Sequence, residues 1–311
     1  MPKVSVITPS FNYARYLPLA VESVLSQSHS DLELIIIDDC SRDGSRDVAE
    51  QWKRLDDRVV TVAHEQNRGL AAARNSGLAI SSGEFVAFCD ADDIWLRDKL
   101  TIQLEWFQRN PETGLGHADS LIMDADGNLT GQRFSELIHR KGQITSGNLF
   151  EDLCQRNFLC VPTVILRREA IERAGGFEST LRSLEDWVCW TKVSMNYPFY
   201  FIEEPLAQYR VHQGNLSSDL KGMAYNSAKA LRLLLDEFPN IPPSVRSRML
   251  YSLGMSHLKI GDSRSALKAF VDSIETDASH IRSWARCCQA AVEFALESVR
   301  GSAGADTKEL G

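Results

Sequence analysis

The residues of this chain best suited to chemistry are the carboxylates of Cys89-Asp90-Ala91-Asp92-Asp93. They follow a strand-like run, Glu84-Phe85-Val86-Ala87-Phe88, and precede helical spacing that starts near Leu96. Three carboxylates at the end of a buried strand repel one another. Such a cluster is costly unless something positive sits there. A hard divalent cation meets that need, because Mg²⁺ or Mn²⁺ takes oxygen ligands and is usually shared with substrate phosphates. The stretch therefore predicts a metal–diphosphate site.

The elements that position it alternate. Residues 4–8 are β-rich and stop at Pro9, and Leu17, Ala20, Val21, Val24 and Leu25 recur at helical spacing. Residues 34–37 are fully apolar, as in a strand buried on both faces, and end at Asp38-Asp39. Ser41 and Asp43 offer turn and N-cap chemistry to a helix ending near Trp52. A strand over 59–62, a loop at Asn67-Arg68-Gly69, an Ala-rich helix over 70–80 and a strand over 84–89 follow. This alternation predicts an α/β domain with a mixed, mostly parallel sheet flanked by helices. Ligands of such sheets bind beyond the carboxyl ends of the strands. Pro9, Asp39 and Asp90 should therefore meet on one rim. The middle of the chain predicts a hairpin turn at Asp126-Gly127, a strand over 163–166, helices over 168–174 and 187–195, and a last strand over 206–211. From about Leu220 only helical periods remain, broken at Pro239 and Pro242-Pro243. The organisation predicted is an α/β domain over 1–218, a helical extension over 219–300 and a disordered tail over 301–311.

Composition narrows the function. The 311 residues are 43% hydrophobic, with a net charge of −8 and a pI near 5.5. No basic stripe appears, which argues against nucleic acid as a partner. The seven cysteines are scattered, with no C-x-x-C pair, and read as free thiols in a reducing compartment. No apolar run approaches the roughly 20 residues of a membrane helix, and Met1-Pro2-Lys3 leads into a strand without a signal-peptide pattern. The expected setting is cytoplasmic, with any membrane contact peripheral, at the inner face.

The motifs together resemble one family: the inverting, nucleotide-sugar glycosyltransferases of family two, with a GT-A fold. Residues 4–12, Val-Ser-Val-Ile-Thr-Pro-Ser-Phe-Asn, are similar to the family's opening strand and nucleotide loop. Ile37-Asp38-Asp39-Cys40-Ser41-Arg42-Asp43-Gly44-Ser45 resembles the second-strand signature, and residues 67–75, Asn-Arg-Gly-Leu-Ala-Ala-Ala-Arg-Asn, the third. Asp90-Ala91-Asp92-Asp93 matches the metal motif, and Gly175-Gly176-Phe177 followed by Glu185-Asp186 the acceptor-side pair. The resemblance covers roughly residues 1–215, five motifs in order, each at a strand-to-loop junction.

The resemblance implies roles residue by residue. Asp39 is the acceptor for the ring N–H of a base, with Thr8, Pro9, Ser10 and Phe11 around it and Asn67, Gly69 and Arg74 completing the nucleotide site. Asp90, with Ala91, approaches the ribose. Asp92 binds the metal, Mg²⁺ or Mn²⁺, and His212 is a further metal ligand or a diphosphate contact. Arg210 is read as a phosphate partner. Asp186 is the base that takes the acceptor's proton, and Glu185 orients its surroundings. The donor implied is a nucleotide sugar, a UDP-sugar by preference, and the acceptor a hydroxyl of a glycan or lipid-linked molecule in cell-surface polysaccharide synthesis.

Each residue also has a plainer reading. Asp39 could cap a helix, Asp90 and Asp92 could sit in a solvated loop, and Asp186 could be a carboxylate stabilised by the helix dipole. Rival functions are an inactive transferase serving as a binding module, or a sugar-nucleotide pyrophosphorylase. The second would want glycines in the loop after the first strand, and that loop, Pro9-Ser10-Phe11-Asn12-Tyr13-Ala14-Arg15, has none. A dinucleotide dehydrogenase fails for the same reason. In the extension, Leu253, Gly254, His257, Gly261, Ala266, Phe270 and Ser273 fall at spacings similar to one tetratricopeptide unit. One unit cannot bury its own faces, so these helices would lean on each other, on a second subunit or on a protein partner.

Overall fold

The computed structural model describes residues 3–138 and 146–305, and divides into two compact units between Ser218 and Asp219.

The first unit begins with the alternation its apolar spacing requires: β1 (Val4–Ser10), α1 (Leu17–Leu25), β2 (Leu32–Asp38), α2 (Ser45–Leu55), β3 (Val59–Ala63), α3 (Leu70–Ile80) and β4 (Phe85–Phe88). The order β3-β2-β1-β4 is parallel throughout. Parallel neighbours need crossover helices, which α1, α2 and α3 supply. Leu34 and Ile36 pack with Val6, Leu17 and Val21 on one face of the sheet, while Ile35 and Ile37 pack with Ala73 on the other. That two-sided burial is why the run over 34–37 carries no polar residue.

The remainder comprises β5 (Ile94–Trp95), α4 (Lys99–Arg109), β6 (Leu115–Met123), β7 (Leu129–Arg133), α5 (Phe134–Ile138), α6 (Phe150–Leu153), β8 (Ile165–Arg167), α7 (Arg168–Arg173), α8 (Glu185–Ser194) and β9 (Phe199–Arg210). β8 joins β4 to β6 by antiparallel pairing, β9 runs parallel to β6 and antiparallel to β5, and β7 turns back on β6. The result is one nine-stranded mixed sheet, the fold class expected from the sequence.

Two elements differ from their local signals. The helix expected from near Leu96 starts at Lys99, because Ile94 and Trp95 first pair with Gln208 and Ala207 of β9. The last strand begins at Phe199 rather than 206. Exposed Glu203 and Glu204 interrupt its apolar pattern where the register with β6 shifts.

The second unit is helical: α9 (Leu220–Glu237), α10 (Pro243–Ile260), α11 (Ser263–Thr276) and α12 (Ile281–Ala305). Gly261, in the left-handed region at φ 85°, ends α10, and the Asp262 carboxylate caps α11 by accepting from Ser265 N. Phe270 of α11 is fully buried against α10. α12 runs through 301–305, residues expected to be unstructured, and 306–311 lie outside the described residues. Among the described residues no helix is long and apolar enough to cross a membrane.

Candidate active site

The carboxyl ends of β1, β2 and β4 form one rim. Asp39 N donates to Ser10 O at 2.9 Å, His64 N to Asp38 O at 2.8 Å, and Cys89 N to Ile7 O at 3.1 Å. The loop after β1 is stitched to the loop after β2. Asn12 N donates to Ser41 Oγ, Tyr13 N to Ser45 Oγ, Ala14 N to Asp43 Oδ2, and Arg42 N to Asn12 Oδ1. Ser41 and Asp43 thus clamp two loops together. They do not cap α2, whose N-cap is Gly44 with no side-chain bond. Thr8 and Ser10 are buried with hydroxyls that have no partner, and Phe11 is 43% exposed. An exposed ring beside unpaired buried hydroxyls suits a planar base and its ribose.

Asp39 is 3% exposed and heavily bonded. Its Oδ1 meets His64 Nδ1 at 2.6 Å and accepts from Arg68 N at 2.8 Å, and its Oδ2 accepts from Gly69 N at 2.7 Å. A carboxylate offers roughly four lone-pair directions, so one on Oδ2 stays open to a ring N–H. Asp39 therefore also shapes the Asn67–Gly69 loop, whose Gly69 sits at φ 86° before α3. Asn67 itself is exposed on the rim. His64, whose Nε2 meets Ser76 Oγ at 2.9 Å, carried no sequence signal.

Asp90 faces Arg74 of α3. Arg74 Nη2 donates to Asp90 Oδ1 and Oδ2 at 2.8 and 3.1 Å, and its Nη1 donates to Glu185 Oε1. Arg74 is 1% exposed and lies near the rings of Phe88 and Phe177. It was expected among the nucleotide contacts, with pairing to an aspartate of the site or exposure to solvent as its plainer readings. The structure makes it a buried strut between the strand-end carboxylate and the acceptor-side pair. Desolvation lowers its pKa, but the charges of Asp90 and Glu185 outweigh that and raise it. Burial raises Asp90, Arg74 opposes the rise, and Asp92 adds to it. Burial pushes Asp93 well above the usual carboxylate range, reinforced by Asp92 and Asp90.

Asp92 and His212 meet at the next position. Asp92 Oδ2 stands 3.0 Å from His212 Nε2. The rings of Tyr13 and Tyr16 lie 5.9 and 5.3 Å from the imidazole. Burial, then the charge of Asp92, raises the Tyr13 phenol, keeping it an O–H donor towards that carboxylate. Arg210 is the scaffold here. Its backbone N donates to Asp93 Oδ1, its Nε to Asp92 O, and its Nη1 to Asp124 O. At 1% exposure it braces the acidic loop, and its Nη2 has no hydrogen-bond partner among the described residues.

Among the described residues no three His, Cys, Asp or Glu side chains form a ready-made metal cage. The oxygen and imidazole donors of Asp92 and His212 nevertheless fit Mg²⁺ or Mn²⁺, which bind through one or two protein ligands and complete their shell with substrate phosphates and water.

On the acceptor side, Leu184 at φ 66° turns the chain into α8, whose first two residues are Glu185 and Asp186. Among the described residues the non-glycine positions with positive φ are Asn12, Cys40 and Leu184, all beside the candidate motifs. Such backbone concentrates at functional sites. Glu185 is 1% exposed and pushed up to about 7 by burial, with Arg74 opposing and Asp186 assisting. Asp186 accepts from Asn157 Nδ2 at 2.9 Å. Asn75, next to Arg74, clamps Phe177 by bonding its backbone N and O at 2.9 and 2.8 Å. Asp90, Arg74, Glu185 and Asp186 thus form one continuous polar chain. The roles of Asn157 and of Asn75 as a clamp had no local signal, because their partners are 29 and 102 positions away.

The chain resembles known glycosyltransferases in sequence and in fold. The family model described as "Glycosyl transferase family 2" matches residues 5–175. A putative teichuronic acid biosynthesis glycosyltransferase, TuaG of Bacillus subtilis, is 36% identical over 220 residues, which is 70% of this chain and 82% of that protein. Several relatives are longer, and the match to one uncharacterized glycosyltransferase of Rickettsia felis spans 33% of its length. The crystal structure of S. aureus TarS residues 1–349 superposes with a TM-score of 0.66 at 18% identity, covering 96% of this chain and 92% of that one. TarS has also been solved with UDP and with UDP-GlcNAc. The mannosyltransferase PcManGT of Pyrobaculum calidifontis, in complex with GDP-Man and Mn²⁺, superposes with a TM-score of 0.59 at 19% identity, covering 96% and 87%.

Proposed function

The chain belongs to glycosyl transferase family 2, and we propose that it transfers a sugar from a UDP-sugar to a hydroxyl of a glycan or lipid-linked acceptor, with metal dependence and inversion, in cell-surface polysaccharide synthesis. The observation that carries this reading is the pairing of Asp92 with His212 beside the Asp90–Arg74–Glu185–Asp186 chain. The teichuronic acid relative supports the cell-surface setting, and the UDP complexes of TarS support the donor.

The base would stack at Phe11, with Asp39 Oδ2 accepting its ring N–H and Asp90 facing the ribose. Asp92 and His212 would hold Mg²⁺ or Mn²⁺, which when bound offsets the charge of the departing nucleoside diphosphate. Asp186, at the mouth of α8 and 8% exposed, takes the proton of the acceptor hydroxyl. The acceptor oxygen bonds to the anomeric carbon from one face as the bond to the diphosphate oxygen breaks on the other, so UDP leaves and the configuration inverts. Arg74 holds Glu185 and Asp90 in place, and the Asn157 amide orients Asp186.

The test is release of nucleoside diphosphate from a panel of nucleotide sugars, with and without Mn²⁺. Metal-stimulated release from a UDP-sugar is the expected result. Release from none of them would favour the inactive binding module, and release independent of metal would remove the role given to Asp92 and His212.

A further inference from the structure

We propose that the cleft between α10 and α12 is an anion site for a phosphate group, held by Arg282 and Arg286 of α12 and Arg248 of α10, beside Tyr251 and His280. The inference concerns the helical unit alone and does not depend on the reaction assigned to the other unit.

The donors come from two helices. At about 100° per residue, Arg282, Arg286 and Gln289 fall on one flank of α12, next to the side that buries Ser283 and Ala290. With Ala285 and with Tyr251 of α10 they line a cleft of about 400 Å³, within the range of small-ligand sites. Arg248 stands about one turn before Tyr251 on α10.

The cleft is braced from beneath. Ser247 of α10, Ser273 of α11 and Ser283 of α12 are fully buried. Their hydroxyls form a chain, with Ser247 Oγ 2.9 Å from Ser273 Oγ and Ser273 Oγ 2.7 Å from Ser283 Oγ. Ser283 Oγ stands 2.7 Å from His280 Nδ1. The chain fixes the imidazole against the Tyr251 ring at 5.1 Å. Its Nε2 has no protein partner among the described residues.

The positive charges lack counterparts. Among the described residues no carboxylate lies within ion-pair distance of Arg248, Arg282 or Arg286. Arg248 Nε is buried without a hydrogen-bond partner. Arg286 donates to the neutral Gln289 Oε1, and Gln289 in turn donates to Glu293 Oε1 at 2.8 Å. The other acid nearby is Asp277, whose Oδ1 already accepts from Ser279 N and Oγ. Burial, then the positive charges of Arg248 and Arg282, holds His280 below the usual imidazole value, with Asp277 opposing. Guanidinium groups of both helices thus bear on one imidazole. Like charges gathered in a partly buried cleft are costly unless an anion sits among them.

Phosphate suits this arrangement better than carboxylate. A guanidinium fork matches two phosphate oxygens with paired N–H donors. Here the donors arrive from two helices, and a phosphate presents oxygens in several directions, whereas a lone carboxylate is filled by one fork. A soluble phosphate ester and a phosphomonoester lipid headgroup present the same group.

The test is calorimetric titration of the full chain with inorganic phosphate in metal-free buffer, with the His280 imidazole followed by NMR. One binding site is expected, and the His280 resonances should move. Arg282→Gln and Arg286→Gln should each weaken binding roughly ten-fold or more, and the double variant should show neither heat nor resonance shift. Arg282→Lys, which keeps the charge and loses the fork, should fall between. Asp92→Ala, altered in the other unit, should bind phosphate like the parent. Circular dichroism checks that the variants stay folded. Competition by phosphatidic acid vesicles would support a headgroup source, and its absence a soluble ester; both support the site. Four outcomes would overturn the proposal: no phosphate binding, binding by the double variant like the parent, loss of binding in Asp92→Ala, or acetate or an acidic peptide binding as tightly as phosphate.

Discussion

Asp92 and His212 are 120 positions apart in sequence, and their side chains meet at 3.0 Å. The pairing follows from topology. Arg210 ends β9 beside the acidic loop, where its backbone N holds Asp93 and its guanidinium holds the Asp92 carbonyl. Two residues further on, the chain has little freedom to place His212 elsewhere, and Asn215 Oδ1 accepts from its backbone N.

That pair sets the first expectation. Asp92→Ala should abolish transfer, and EDTA should silence the parent enzyme, because losing the ion removes several kcal/mol of charge stabilisation. His212→Ala should weaken Mn²⁺ binding in the presence of UDP, measured by calorimetry. Full activity in EDTA would sink the assignment.

Asp186→Asn preserves size and can still bond Asn157, but it cannot accept a proton. Its kcat should fall by roughly two to four orders of magnitude while donor affinity stays unchanged. Hydrolysis of the donor by water should fall alongside. Normal turnover by this variant would move the base elsewhere.

Arg74 and Glu185 should behave differently, as structural partners. Breaking a buried ion pair by removing one member costs about 3–5 kcal/mol. Arg74→Met and Glu185→Gln should therefore both lower the midpoint of urea unfolding, Arg74→Met more, since it strands two carboxylates. An unchanged midpoint for both would show that the pair contributes nothing.

Which parts could be read from the chain alone follows from the range of each interaction. The run over 34–37 and the Asp39, Asp92 and Glu185-Asp186 motifs carry their signals within a few residues. Arg74 matched a motif, but its role needed a partner 111 positions away. His64 and Asn157 are ordinary residues until the sheet brings them to Asp39 and Asp186, and Arg210, singled out in the sequence, shows its bracing of the acidic loop only once β9 is in place. The two-residue β5 escaped notice because only pairing with β9 makes it a strand.

Lys99 is a buried cation outside the site. It is fully buried, with Nζ 2.7 Å from Gln103 Oε1 and 4.0 Å from the Trp95 ring centre. Desolvation lowers its pKa from 10.5 to about 7. A depressed folded-state value means stability present above about 10.5 and lost as pH falls towards 7. The stability advantage of Lys99→Met over the parent should therefore grow as pH falls through that window, read from unfolding at several pH values. Parallel pH profiles for the two proteins would contradict the burial argument.

Gly254 tests the helical unit by setting two effects against each other. Alanine in a helix interior is favoured over glycine by about 1 kcal/mol. A Cβ at position 254, however, would lie 2.6 Å from a ring carbon of Phe270. Phe270 is fully buried and packed beside Tyr251 and Ala266, so its ring has little room to yield. Overpacking of this kind costs about 1–3 kcal/mol, which should outweigh the propensity gain, so Gly254→Ala is expected to be net destabilising. Adding Phe270→Leu should recover part of the loss, because the smaller side chain makes room for the new methyl. The double variant should thus be less destabilised than the sum of the singles, by about 0.5 kcal/mol or more. Strict additivity would mean that α10 and α11 do not meet through this pair.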